Sequence, residues 1–238
     1  MIFRMKKLVR ILLDWLFFNA LIKGVAAGVE HRRLLLALGD EMRHVIDIGA
    51  NRGQFALVAR KCFPFAKIDS FEPLVEPAEI FERVFDGDVN TKLHRFAIGP
   101  EKSISIMHVS NRDDSSSLLP ISGLQTALFP NTKERGTREV YVAPLAEILT
   151  GAILEPALLK IDVQGYELLV LQGCLSLLAN FKHIYVECSF IELYVGQSLA
   201  SEVIDFLAKQ NFRLVGVYNL YYGPDGRSIQ ADFLFQRA

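Results

Sequence analysis

The sequence predicts an α/β fold: a doubly wound, mostly parallel sheet with a C-terminal antiparallel hairpin and N-terminal helices. Three observations carry that prediction. From residue 44 onward, apolar runs of strand length alternate with longer amphipathic runs, the pattern of βα units whose helices cover both faces of a parallel sheet. A turn with two glycines, Gly49 and Gly53, follows the first of these strands. The last two apolar runs, 212–218 and 230–235, have only Gly223-Pro224-Asp225-Gly226 as a turn between them, so they pair as a hairpin.

Taken in order, 5–23 and 29–39 read as helices ending near Gly24 and Gly39. Strand 44–48 follows, then helix 55–63, which stops before Pro64, and strand 66–71. Helix 77–85 has Pro77 in its first turn, where the missing N–H costs nothing. A third strand covers 93–98, an extra one 103–109 and a short one 140–142. Strand 158–162, helix 166–178, strand 183–188 and helix 199–209 complete the alternation. Segment 111–137 is polar and rich in Ser, Asp, Gly and Pro, and is read as a long loop covering a substrate site. The reading divides the chain into a helical extension over 1–40, packed on the core, and one domain over 41–238.

Lys and Arg total 26 against 27 Asp and Glu, which excludes whole-surface attraction to nucleic acid; no nucleic-acid partner is expected. Cys62, Cys174 and Cys188 are odd in number and lack CxxC spacing, so neither a disulfide framework nor a zinc site is expected, and a reducing, cytoplasmic setting fits. His31, His44, His94, His108 and His183 form no HExxH-type cluster and are read mostly as surface or strand-edge residues rather than metal ligands. Arg4, Lys6, Lys7 and Arg10 precede an apolar run over 11–22, which imitates a signal peptide. Asp14 and Asn19 interrupt the run, and no small-residue cleavage site follows before Glu30. The preferred reading is an amphipathic helix packed on the domain. The alternative is a helix lying on an anionic inner-membrane surface.

Two motifs carry chemistry. In Val45-Ile46-Asp47-Ile48-Gly49-Ala50-Asn51-Arg52-Gly53-Gln54-Phe55 a strand meets a helix through a tight turn. Gly49 lets the backbone approach a ligand, and the exposed amides suit a carboxylate or phosphate. Asp47 places a carboxylate near the strand end, to attract a cation directly or through water, or to hold the turn. Glu72 in Phe71-Glu72-Pro73 ends the next strand roughly 20 residues on, where a carboxylate grips a ribose diol. The spacing Gly49-x-x-x-Gly53 departs from the GxGxxG of dinucleotide folds and fits S-adenosyl-L-methionine, whose ammonium would be drawn to Asp47 and whose carboxylate would meet the turn amides. The second motif is Leu159-Lys160-Ile161-Asp162-Val163-Gln164-Gly165-Tyr166-Glu167, at the end of another core strand. Lys160 and Asp162 alternate with apolar residues, and charges in a buried strand must be paired or functional.

With these two motifs, the segments Ala97-Ile98-Gly99, Ser115-Ser116-Ser117-Leu118, Leu171-Gln172-Gly173 and Val186-Glu187 complete a pattern that resembles the FkbM family of methyltransferases. The resemblance spans most of the chain from about residue 44. It implies a class I methyltransferase (Rossmann-like) fold with a seven-stranded sheet, S-adenosyl-L-methionine as donor, and a small-molecule or glycan acceptor methylated on a hydroxyl. It places the donor at Asp47, Gly49, Ala50, Asn51, Gly53, Glu72 and Pro73, with Ala97 beside the adenine. Gln164 stands where many relatives carry Glu. Removing the acceptor's proton calls for a general base; Asp162 is the first candidate and Glu187, at the end of the next strand, the second. Asp113, Asp114 and Ser115 to Ser117 are available to a polyol. A metal-assisted variant would use Asp162 and Glu187 but lacks an evident third ligand. The competing readings are an NAD(P)-dependent oxidoreductase, which here lacks GxGxxG and a Tyr-x-x-x-Lys pair, and a non-catalytic nucleoside-binding module.

Overall fold

The computed structural model describes residues 11–39 and 41–238. The start of the predicted 5–23 helix and the four basic residues Arg4 to Arg10 lie outside the described residues. A seven-stranded sheet runs in the order β3-β2-β1-β7-β8-β10-β9. Its members are β1 (His44–Ile48), β2 (Lys67–Phe71), β3 (Thr91–His94), β7 (Ala157–Ile161), β8 (His183–Ser189), β9 (Phe212–Tyr222) and β10 (Ser228–Arg237). The pairs β1–β2, β2–β3, β1–β7 and β7–β8 are parallel; β8–β10 and β10–β9 are antiparallel. The fold class read from sequence, hairpin included, is the one present. A smaller sheet, β4 (Ala97–Ile98), β6 (Glu134–Ala143) and β5 (Ser103–Ser110), runs in the order β4-β6-β5.

Burial alternates along the strands because successive side chains point to opposite faces. Ile46, Ile48, Leu159, Ile161, Ile184 and Val186 form one core. It is covered by α6 (Leu145–Ile148), α7 (Glu167–Gly173) and α8 (Ala200–Lys209). Val45, Leu158, Tyr185 and Leu234 form the core on the other face. There the cover is α1 (Trp15–Ile22), α2 (Arg32–Ala37), α3 (Gln54–Cys62) and α4 (Val75–Val84). Phe17 and Ala20 of α1 are buried in that core, while Trp15 and Ile22 are exposed. No helix among the described residues is long and apolar enough to cross a membrane.

Several elements differ from the sequence reading, among them the helix α6 and the longer β6. The predicted strand 93–98 is two: β3 stops at His94, whose Nε2 lies 2.8 Å from Asp69 Oδ1 and whose ring stacks on Phe71, and β4 then pairs with β6 in the small sheet. The predicted loop 111–137 instead contains a 3₁₀ turn (Asp113–Ser115), the helix α5 (Gly123–Leu128) and the first residues of β6. Ser122 caps α5 by accepting from Gln125 N at 3.1 Å. The helix predicted over 166–178 ends as α at Gly173 and continues as a 3₁₀ helix, Leu175–Asn180. A Cβ on Gly173 would stand 2.2 Å from the Gly99 carbonyl oxygen, so the glycines of two separate motifs exist for one close backbone contact. The histidines also differ: His44, His94 and His183 are buried rather than superficial.

Candidate active site

The chain runs from β1 to β2 and β3 on one side, then returns to β7 and β8 on the other. The order therefore switches between β1 and β7, and ligands of open α/β sheets bind in the crevice at the strand C-termini there. A cavity of about 490 Å³ occupies that place, within the usual range for small-molecule sites. Gly49, Ala50, Asn51, Glu72, Pro73, Ala97 and Asp162 line it. Asp47, Gly53 and Glu187 are near this crevice but do not line it.

Gly49 has φ +78°, and a Cβ there would stand 1.8 Å from the Asp162 carbonyl oxygen. Only glycine permits the β1 turn to pass this close to the end of β7. The turn continues through Asn51 at φ +46°, a residue that tolerates the left-handed region, and its Oδ1 accepts from Arg52 N at 2.9 Å. Glu72 braces the loop from β2: its Oε2 accepts from Asn51 N at 3.0 Å and its Oε1 from Leu74 N at 2.8 Å. Burial pushes this carboxyl up to about 7 against the pull of those amides.

Asp47, Lys160, Asp162, Glu187 and Asp232 share the strand parity of Val45, Leu158, Tyr185 and Leu234, so they all point to one face of the sheet. Asp47 is fully buried, with Lys160 Nζ 3.0 Å from its Oδ1. A direct contact between Asp47 and a ligand ammonium is therefore not what this geometry offers; the carboxylate is already neutralised and sits behind the loop. Lys160 also donates to the Gly49 carbonyl at 3.0 Å. Despite its own burial, Lys160 is held charged by Asp47 and Asp162.

The Asp162 side chain is 36% exposed, against 0% for Asp47 and 10% for Asp232. Gln164, in the left-handed region at φ +57°, donates from Nε2 to Asp162 Oδ1 at 2.8 Å and to Glu187 Oε2 at 2.9 Å. A Glu at this position would set a third carboxyl against these two, so the amide suits the pair. Gln230 Nε2 donates to the other Glu187 oxygen at 2.9 Å. Burial pushes Glu187 well above the carboxylate range, and Asp162 nearby adds to the shift. Tyr194 OH donates to Gln164 Oε1 at 2.8 Å, and Ser117 Oγ donates to the Gln164 carbonyl at 2.6 Å. Arg52 Nε donates to Asp113 Oδ2 at 2.8 Å, clasping the glycine loop to the covering segment. Asp113, Asp114 and Ser116 line the cavity; Ser115 and Ser117 do not.

The sequence reading missed the segment before β1. Gly24, Val25, Ala26, Gly28 and His31 also line the cavity. The paired glycines Gly24 and Gly28 were the available signal.

A profile of the methyltransferase FkbM domain matches residues 47–214. The 2-O-methyltransferase NoeI of Sinorhizobium fredii (strain NBRC 101917 / NGR234) is 27% identical over 209 residues, covering 85% of each chain. Among solved structures, a precorrin-6y C5,15-methyltransferase from Geobacter metallireducens GS-15 is 10% identical, with 88% of each chain covered and a TM-score of 0.49. The dimethyltransferase RosA from Streptomyces davawensis is 9% identical, with 88% of this chain and 55% of that chain covered and a TM-score of 0.47. With the match running from the Asp47 turn through β7 and β8 to the start of β9, this chain belongs to the FkbM methyltransferase domain family.

Proposed function

We propose that this protein transfers a methyl group from S-adenosyl-L-methionine to a hydroxyl of a sugar, glycan or related metabolite, with Asp162 as general base. The observation that carries the reading is the single cavity surface shared by the glycine loop, Glu72 and Asp162. The residues fit the donor. Gly49 leaves the loop open where a Cβ would collide, and Glu72 faces the cavity from the end of β2, where each carboxylate oxygen keeps a lone pair for a ribose hydroxyl. Ala97 is a small residue in the wall that would meet the adenine. When bound, the donor supplies a methyl carbon already activated by its sulfonium.

The chain's own task is then alignment, exclusion of water and removal of one proton. Asp162 takes the hydroxyl proton on its carboxylate, and Gln164 fixes the orientation of that carboxylate. Glu187 does not line the cavity and has both oxygens engaged by glutamine amides, so Asp162 is the base this geometry favours. Hydroxyl methylation is further supported by the relative NoeI, a 2-O-methyltransferase.

Calorimetry with S-adenosylhomocysteine tests the donor site, and transfer of labelled methyl to a panel of glycans tests the acceptor class. Asp162→Ala should lower turnover by about 10²–10⁴-fold and leave affinity for S-adenosylhomocysteine within a few fold. Wild-type turnover in that variant would remove Asp162 from the mechanism.

A further inference from the structure

The wall ahead of β1 lies before residue 47, where the family match begins. It is fastened to the glycine loop by Gly28 N–H, which donates to the Gln54 carbonyl at 2.9 Å. His31, at the end of this wall, is held in one pose. Its ring stands edge-on to Phe55, with centroids 5.4 Å apart, and to Tyr185 at 5.6 Å. Tyr185 OH donates to Asp232 Oδ2 at 2.6 Å, and Asn219 Nδ2 donates to the same oxygen at 2.7 Å.

A phenol has one proton, and Tyr185 uses it on Asp232. The 2.9 Å contact between Tyr185 oxygen and His31 Nδ1 therefore has the ring nitrogen as donor. The chain His31 to Tyr185 to Asp232 holds a proton on His31 Nδ1, which also lies 3.6 Å from Asp232 Oδ2. No hydrogen bond reaches Nε2 among the described residues.

Topology says which part of a ligand meets this nitrogen. Glu72 ends β2 and Ala97 lies in β4, so ribose and adenine belong on the β2 side of the switch point. The other end of the molecule must extend toward β7 and β8. His31 stands there, over Tyr185 of β8 and Asp232 of β10. Asp47 is buried behind the loop and paired with Lys160, so it does not itself meet the amino-acid end of the ligand.

Resting on the donor assignment above, we propose that His31 binds the amino-acid end of S-adenosyl-L-methionine, its unpartnered Nε2 hydrogen-bonding to that end while Tyr185 and Asp232 position the ring. His31 is thus a donor-binding residue, and Tyr185 and Asp232 are positioning residues.

Calorimetry with two nucleosides tests this without any acceptor. S-adenosylhomocysteine carries the amino-acid end; 5′-methylthioadenosine lacks it. His31→Ala should weaken S-adenosylhomocysteine about tenfold to hundredfold, the value of a hydrogen bond to a charged group, and leave 5′-methylthioadenosine within twofold. His31→Asn keeps a donor near Tyr185 but is too short to replace Nε2, so it should show the same selective loss if the alanine variant folds poorly. Tyr185→Phe should weaken S-adenosylhomocysteine selectively and by less. Glu72→Ala should weaken both nucleosides, because both keep the ribose. An unchanged S-adenosylhomocysteine affinity in the His31 variants, or an equal loss for both nucleosides, would overturn the assignment. Failure of the wild-type protein to bind either nucleoside would instead sink the donor site itself.

Discussion

Lys160→Met is the most informative single change to the charged strand face. Lys160 is the ion-pair partner of a fully buried Asp47 at 3.0 Å, and neither Asp47 oxygen has a well-aligned hydrogen bond among the described residues. Removing one member of a buried pair costs about 3–5 kcal/mol, because the other charge is left uncompensated. The Gly49 carbonyl also loses its Lys160 donor, worth about 1 kcal/mol. Against a total stability of about 5–15 kcal/mol, the variant should be severely weakened at neutral pH. The loss must depend on pH. Burial raises the Asp47 pKa even beside Lys160, and methionine would raise it further. A carboxyl with a folded pKa above its unfolded value of about 3.9 loses stability as pH rises between the two, by about 1.4 kcal/mol per unit. The deficit relative to wild type should therefore be small near pH 4, grow with pH, and level off once the folded pKa is passed. The double variant Asp47→Asn/Lys160→Met carries no orphan charge and should recover most of the loss. Urea unfolding followed by circular dichroism at pH 4, 6 and 8 measures all of this. A deficit under about 1 kcal/mol at pH 8, or one equal at pH 4 and pH 8, would refute the view of Asp47 as a buried anion held by Lys160.

Gly49→Ala should reduce affinity for S-adenosylhomocysteine by more than about tenfold, since the new Cβ meets backbone at 1.8 Å and the left-handed conformation adds about 1–2 kcal/mol of strain. Gly53→Ala, whose Cβ would meet ring atoms of Phe85 and Phe81 at 2.7 and 2.9 Å, should be milder, because rings can shift; calorimetry that ranks the two the other way contradicts this. Glu167 is buried, accepts from Gly165 N at 2.9 Å and is pushed up to about 7 by burial. Its raised pKa makes stability fall as pH climbs from about 4.5 to about 7, so Glu167→Gln should gain about 3 kcal/mol relative to wild type across that window; denaturant melts at pH 5 and pH 8 that show no relative gain would exclude it. Asp69 accepts from His44 and His94, each at 2.8 Å, and pairs with Lys67 at 2.7 Å, which holds it far below the ordinary carboxylate range. Its contribution is full above about pH 3.9 and fades with acidification. Asp69→Asn should cost about 2–4 kcal/mol at pH 7, and its deficit should narrow steadily as pH falls below about 3.9 without vanishing by pH 2, as read by acid unfolding curves.

The sequence by itself determined the alternation of strands and helices, the terminal hairpin, the glycine turn after β1, and carboxylates at the ends of β2 and β7. These are local properties: periodicity, turn stereochemistry and apolar runs are written within a few residues of one another. Even there, neighbours far along the chain set some limits. β3 ends where His94 meets Asp69, and α5 forms inside a polar stretch whose composition reads as loop. What only the tertiary structure decided is which charges meet. Asp47 looks like a ligand contact until Lys160 arrives from the adjacent strand to neutralise it. Gln164 looks like a lost acid until Asp162 and Glu187 are seen sharing its amide. His31 carries no signal of its own, because its partner Tyr185 lies 154 residues away. Pairing across a sheet depends on strand order and face, and no local sequence pattern encodes either.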